Sequence, residues 1–440
     1  MYNIKKYIRE KEKFLIPVGI FLLGFAIRSA FALKGNDILS GDEIFYESSG
    51  RGLCLGKGYM IGEHLTSSIM PGYSIFIAFI YRFFQDSLAA IRIAQAVLDS
   101  LMCIAIYEIA RKLFDKRVGF LSAILCMGHY FFLKSIQLLR PDSVQMFFVI
   151  TSILYWIKWD EKLSKRDAFL FGCFSSLSIM FKPNMFFLPF IFLFTGFTRA
   201  LKKRQNHIKS FIIGATVSIV MIVLPISIWT LRNYRVHNAL VPFTTGFGTV
   251  LYHSYNPIEG KKFGIIPKDE LTEKAGKIDS EVDRNRYLVN EAVKHIREHP
   301  DKVMKLVPLK ILFFWSIFDW ETLGGEGVYN FSTAFILPFS ILGLIFLRKS
   351  FKRLTALLIP IVYCNLLAVV FSGLPRFRLP IEPILIIFAA YSMTYLYYRF
   401  SRSKIVLLVV SWFCLNFYMF MNSSSMLGVG KFLMESLKLW

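Results

Sequence analysis

Two adjacent acids, Asp42 and Glu43, follow the first apolar stretch of the chain. A carboxylate held at a membrane surface can take a proton from an attacking hydroxyl, provided that it lies within hydrogen-bond reach of it. The same pair could instead open a helix as first-turn charge, or stand solvated in a loop. Three arginines offer the complementary chemistry: Arg232, Arg376 and Arg378. A guanidinium stays charged and grips phosphate through a planar fork. An arginine at a helix end can also simply extend to lipid headgroups. Tyr46, three residues past Glu43, reads as packing. Glu63, His64 and His253 could form an outer site for a divalent metal, but their mixed types at unrelated spacing match no ligand pattern.

The elements that must position these residues are read from composition. Apolar residues are 55% of the 440 and charged residues only 19%, with 45 Phe and a mean hydropathy of +0.50. Soluble domains run at about 45–50% apolar and about 25% charged, so a soluble enzyme, a disordered tail protein and a disulfide scaffold are excluded. The six cysteines are scattered singly without metal-ligand spacing. The expectation is an all-α integral membrane protein of about eleven transmembrane helices. The first runs from about Phe14 to Leu33. A signal peptide ending near Ala30-Phe31-Ala32 would look similar, but the run is long for one and is read as an uncleaved helix. The others fall near Leu88–Leu113, Val118–Lys134, Ser143–Trp159, Ala168–Phe181, Met185–Thr198, Phe211–Leu231, Phe331–Leu347, Leu354–Phe371, Leu379–Tyr398 and Ile405–Met421. Met70–Phe84 and Val303–Phe318 are short or polar-flanked and read as interfacial helices.

Charge orients the chain. With the N-terminus inside, the inner loops and N-terminal tail carry close to half of the 52 Lys and Arg, as positive-inside bias requires. The net charge of +22 is thus read as anchoring on anionic membrane lipids rather than on nucleic acid. Two long segments, 34–87 and 232–320, then lie outside the cytoplasm within one membrane-embedded domain, 1–440. Arg232, Arg376 and Arg378 fall at outer helix ends, against the charge bias, which asks for a reason. Arg140 and Lys182 also face outward.

The order of features resembles a family. An acidic pair outside the first helix is followed by Gly52, Gly56, Gly58 and Tyr59, then Pro71-Gly72-Tyr73 opening an interfacial helix, then Arg92 with Gln95 and a basic inner turn. Asp142 begins a later helix at its outer end. Trp229 and Arg232-Asn233-Tyr234 lead out of the membrane to Asn256-Pro257, and His299-Pro300 precedes a second interfacial helix. Arg376-Phe377-Arg378 with Pro380 and Pro383 closes the series. Over roughly residues 14–400 this is similar to the family of the lipid A aminoarabinose transferases and protein O-mannosyltransferases, multi-pass glycosyltransferases of the GT-C fold.

The resemblance implies transfer of a sugar from a polyprenyl-phosphate-linked donor to an envelope lipid, glycan or protein on the outer face of the cytoplasmic membrane, in one inverting displacement. Asp42 would be the catalytic base, Glu43 would share that role or orient the acceptor, and Asp142 would be a second acid near the sugar. Arg232, Arg376 and Arg378 would hold the donor phosphate. No cofactor is implied with certainty, although some relatives carry a metal. The chain departs from the pattern at Met70, where lipid A transferases commonly have a basic residue. That phosphate contact is then missing or supplied by Lys57 or Lys182. The large soluble insertions of eukaryotic protein mannosyltransferases are absent, which argues against protein mannosylation in that form. A transporter or lipid-carrier flippase is the alternative, and predicts repeats, broken helices and charges at mid-membrane. A structural subunit would need neither Asp42 nor the arginines.

Overall fold

The computed structural model describes residues 2–203, 205–255, 269–319 and 328–422. Helix α1 (Tyr2–Ala32) is followed by two helices that lie before the next long crossing, α2 (Asp42–Cys54) and α3 (Pro71–Phe84). Between them a hairpin pairs β1 (Met60–Ile61) with β2 (His64–Leu65), antiparallel. Pro71 stands at the first position of α3, where its missing N–H costs nothing. Helix α4 (Leu88–Leu113) starts at Ser87, whose hydroxyl accepts from the Ala90 amide.

The expected crossing at Val118–Lys134 is instead two helices, α5 (Lys116–Met127) and α6 (Tyr130–Ser135). Gly128 ends the first and His129 starts the second. Glycine weakens a helix interior, and the break turns the fully buried His129 ring toward Glu382, 3.6 Å away. Then come α7 (Asp142–Lys162), α8 (Lys165–Phe181), a 3-10 turn at Pro183–Met185, α9 (Phe187–Ala200) and α10 (Gln205–His237). Pro183 forbids α8 from continuing.

The second long segment holds α11 (Phe247–Tyr255), α12 (Glu270–Gly276), α13 (Glu281–Glu298) and α14 (Pro300–Phe314). A short antiparallel pair, β3 (Phe318–Asp319) with β4 (Val328–Tyr329), follows. Asn256-Pro257 and Trp320 lie outside the described residues. The chain ends in α15 (Phe331–Phe346), α16 (Thr355–Val370), a 3-10 segment Pro375–Ile381, α17 (Glu382–Arg399) and α18 (Arg402–Met421).

All eleven apolar stretches are thus helical. Among the described residues five helical segments have the length and apolarity of a crossing: Phe14–Ala32, Leu88–Leu113, Gln205–His237, Pro375–Arg399 and Ser403–Met421. The chain is a multi-pass helical membrane protein. Its hub is α17, in which every residue from Ile384 to Ala390 is buried. At the other extreme α18 has 6% of its crossing buried, as befits a lipid-facing edge. A second apolar cluster of Tyr46, Tyr73, Ile77, Leu139, Val144 and Phe181 joins α2, α3, α7 and α8. Contact there is close enough that a Cβ on Gly72 would fall 2.5 Å from the Met180 carbonyl oxygen. Small residues at such crossings let apolar helices pack where no hydrophobic effect drives them together. This cluster is the floor beneath the charged residues described next.

Candidate functional site

Four charged side chains from four elements meet above that floor. Asp42 is in the first turn of α2, behind Gly41, whose positive φ of 55° turns the chain into the helix. Its Oδ2 accepts from Arg376 Nη2 at 3.2 Å, and its side chain keeps 49% of its exposure. Asp142 is in the first turn of α7, where the helix dipole favours a negative charge. Its Oδ1 accepts from Lys182 Nζ at 2.5 Å, and only 10% of the side chain is exposed. Lys182 ends α8 in an extended conformation that aims it back at α7. The Phe377 ring underlies both cations, with Lys182 Nζ 5.6 Å and the Arg376 guanidinium 5.3 Å from its centre.

The charges act on one another. Burial opposes ionisation of Asp142, but Lys182 and Arg376 overcome it and hold its carboxyl below the usual range. Burial pushes the Lys182 ammonium below its ordinary value, against the pull of Asp142 and with the push of Arg376. Tyr46, beneath, is pushed far above its ordinary value by burial, then by Asp42 and Asp142. It packs edge-on against Tyr73 and serves as floor. The arrangement is a half-open carboxylate beside a buried carboxylate, with two cations between them. It can take a proton at Asp42 and neutralise an anion at Arg376 and Lys182.

Glu43 points the other way. Its Oε1 accepts from the Leu139 amide at 2.8 Å, and its Oε2 accepts from the Ser40 amide at 3.2 Å. The residue is buried. It ties the start of α2 to the segment that leads into Asp142. Arg92 and Gln95 on α4 pin that same segment. Arg92 donates to Gln137 O at 3.0 Å and to Asp37 at 2.8 Å. Gln95 donates to Ile136 O and Leu138 O, and accepts from the Tyr73 hydroxyl at 2.7 Å.

Arg378 and Arg232 do not join the four. Arg378 is fully buried and donates to Glu382 Oε1 at 2.6 Å, Phe314 O at 2.5 Å and Ser316 O at 3.1 Å. It locks the 3-10 segment to the end of α14. Arg232, near the end of α10, donates to Thr66 O at 2.6 Å, Tyr59 O at 3.0 Å and Ser67 Oγ at 2.9 Å. It lies over the Trp229 ring at 5.0 Å. Beside it Glu281 of α13 accepts from Thr66 Oγ1, the Ser67 amide and Thr245 Oγ1, so this second cluster docks α13 on the first long segment.

Three further charges were not singled out by the sequence reading. Arg28 and Asp99 form a fully buried ion pair of 2.5 Å between α1 and α4. An arginine late in one apolar run and an aspartate inside another, Leu88–Leu113, were its visible signs. Lys310 on α14 is fully buried, faces the Tyr255 ring at 3.8 Å and donates to Val369 O at 3.2 Å, a carbonyl at the free end of α16. Burial pushes its ammonium down to about 8. Its signal was a lysine inside the apolar run Leu309–Phe314. Among the described residues no group of three or more His, Cys, Asp or Glu could hold a metal ion. Glu63, His64 and His253 form no such group, and Asp42 and Asp142 each already face a cation.

The sequence profile of the family described as dolichyl-phosphate-mannose-protein mannosyltransferase matches residues 68–229, a stretch that includes Asp142 and Lys182. No curated protein matches the sequence. Among solved structures, the Archaeoglobus fulgidus oligosaccharyltransferase tethered to an acceptor peptide superimposes with a TM-score of 0.57 at 12% identity. That match covers 94% of this chain and 55% of the other. The same organism's oligosaccharyltransferase AglB, in complex with an inhibitory peptide and a dolichol-phosphate, gives 0.55 at 11%, covering 93% and 55%. ArnT from Cupriavidus metallidurans bound to undecaprenyl phosphate gives 0.43 at 11%, covering 85% and 76%. The chain spans about half the length of the archaeal proteins. In sequence over residues 68–229, and in fold over nearly all of its length, the chain resembles the GT-C glycosyltransferases.

Proposed function

We propose that the chain transfers a sugar from a polyprenyl-phosphate carrier to an envelope acceptor at the outer face of the cytoplasmic membrane. The observation that carries this reading is the pairing of Asp42 with Arg376 next to Asp142 with Lys182, at one end of the helix bundle. Dolichol-phosphate in the archaeal relative supports a lipid-phosphate donor, and its acceptor peptide supports transfer to an acceptor.

In this reading the 34–87 and 232–320 segments frame the acceptor, and the carrier phosphate meets Arg376 and Lys182. Arg376 would then exchange its contact with Asp42 for the phosphate, which leaves Asp42 free to take the acceptor hydroxyl proton. The hydroxyl oxygen attacks the anomeric carbon, and the bond from that carbon to the phosphate oxygen breaks. The electron pair leaves with the polyprenyl phosphate, whose growing charge the two cations offset. Asp142 holds Lys182 in place and lies toward the sugar. Arg378 and Arg232, spent on backbone carbonyls and hydroxyls, shape the site from behind. Displacement from the far side inverts the anomeric centre.

The test is a transfer assay with membranes containing wild type or Asp42→Asn and polyprenyl-phosphate-linked labelled sugars. Removing a positioned general base costs about 10²- to 10⁴-fold, with binding of the carrier retained. Label moved equally by both forms would sink the assignment. A transporter would tolerate the substitution and move the intact carrier across the bilayer.

A further inference from the structure

Helix α7 runs from Asp142 to Lys162 and is about 30 Å long, close to the thickness of a bilayer core. Its far end is therefore at the membrane surface opposite the Asp42 site. A cavity of about 360 Å³ opens there between α7, α9 and α10. Its rim carries Arg199, Lys202, Lys203 and His207 against a single acid, Asp160. Arg199 is fixed by Asp160 and by the Thr355 hydroxyl, while Lys202 and Lys203 pair with no acid among the described residues and stay exposed. The floor is apolar, made by Gly196, Ala200 and Phe211, and Phe211 is held flat on Trp159 with ring centres 5.1 Å apart. From this floor the outer surface of α9 and α10 continues as exposed Phe194, Phe197 and Ile212.

A cation-rimmed cavity open to an apolar, lipid-facing wall suits an amphiphile that carries a phosphate. A free phosphate would use the rim and leave the wall unused. We infer that this cavity seats the headgroup of one anionic glycerophospholipid from the leaflet opposite the Asp42 site, with its acyl chains lying along α9 and α10. Basic recesses between membrane helices are suited to anionic headgroups. The inference rests on the chain spanning a membrane and is independent of the transfer chemistry. A lipid held there fixes the depth of α7, and so the level at which Asp142 and Lys182 meet the other surface.

The test uses the full chain, purified and delipidated in detergent, titrated with phosphatidylglycerol or phosphatidylcholine and read by native mass spectrometry. Wild type should retain one phosphatidylglycerol at least tenfold more tightly than phosphatidylcholine. Lys202→Gln/Lys203→Gln should weaken that binding at least tenfold. Lys349→Gln/Lys352→Gln serves as a charge-matched control, since those exposed lysines lie on another turn of the same basic face, and should change it less than twofold. Equal weakening by both pairs would mean diffuse attraction and overturn the inference. So would equal retention of the two lipids, or inorganic phosphate displacing phosphatidylglycerol at matching concentration. All four lysines are exposed, so unchanged thermal unfolding without lipid is expected of every variant.

Discussion

Arg376 and Arg378 stand two residues apart on one 3-10 segment and do opposite things. A three-residue turn sends such neighbours to different sides. Arg376 leans out to half-exposed Asp42. Arg378 turns in, where Glu382 and two carbonyls leave it no route to solvent. In the proposed reading one arginine of the motif is a reagent and the other a rivet, and burial decides which. The sharpest way to break this contrast is to truncate each. Arg376→Ala should lower transfer by about two to three orders of magnitude, as loss of a group stabilising developing charge does, and leave thermal unfolding almost unchanged. Arg378→Ala leaves Glu382 as an unpaired buried charge, and should cost about 3–5 kcal/mol, read as a collapse of the unfolding midpoint. Arg378→Met with Glu382→Leu should regain most of that loss. If Arg378→Ala were instead stable and inactive, the rivet would be a reagent.

Lys310 sharpens the contrast from the other side, as a buried cation with no carboxylate partner among the described residues. Its ammonium sits at about 8 when folded and at 10.5 ordinarily. That gap corresponds to about 3 kcal/mol against folding wherever the lysine is charged in both states. Between those values the unfolded chain binds the extra proton, so the wild type gains stability as pH rises from about 8 to 10.5. Lys310→Met should raise stability by up to this amount below pH 8 and by little above 10.5. Unfolding midpoints across that range in both proteins measure it. A flat difference would mean that the Tyr255 face and the Val369 carbonyl compensate the charge fully.

Lys182 is pulled both ways, by burial and by Asp142, and burial wins. Its charge is therefore lost at lower pH than that of a free lysine. If it grips the donor phosphate, KM for donor should rise on the alkaline side while kcat holds. Lys182→Arg stays charged, and should move that alkaline limb to higher pH. Asp142, held low, predicts no matching change on the acid side near neutrality. An unmoved alkaline limb would remove Lys182 from the phosphate.

What the sequence disclosed follows from what kind of force acts. Apolar runs must be helical in a membrane, so helices α4 and α16 were legible almost to the residue, whereas α10 runs six residues past the expected span at each end. The break at Gly128-His129 was not, because the run stays apolar across it and only the fold makes a buried turn useful. Asp42 was visible as an acid just past the first apolar stretch and Asp142 as one opening a later helix. Their partners are 334 and 40 residues away in sequence, and no local pattern announces such a pairing. Lys182 was noticed but matched no motif, whereas Arg232 and Arg378 matched motifs and are spent on structure. The motif fixes residue type, and the packing of α14 and of the first long segment fixes what that type can reach.

Asp42 and Glu43 repeat the contrast on a smaller scale, one open and one buried. Glu43 accepts from two backbone amides at once, those of Leu139 and Ser40. A carboxylate has two acceptor oxygens for this, and a glutamine has one. Glu43→Gln can keep one amide satisfied but must turn its own NH2 group toward the other. The expected cost is about 1–2 kcal/mol of stability. Because the lost tie joins α2 to the segment before Asp142, the two acids of the site should drift relative to each other. Transfer should fall only a few-fold, through KM and kcat together, against the far larger loss in Asp42→Asn. Measuring both variants side by side under saturating donor separates them. If Glu43→Gln were as inactive as Asp42→Asn while folding normally, Glu43 would have to swing out and share the proton, and the division of labour between the two adjacent acids would be wrong.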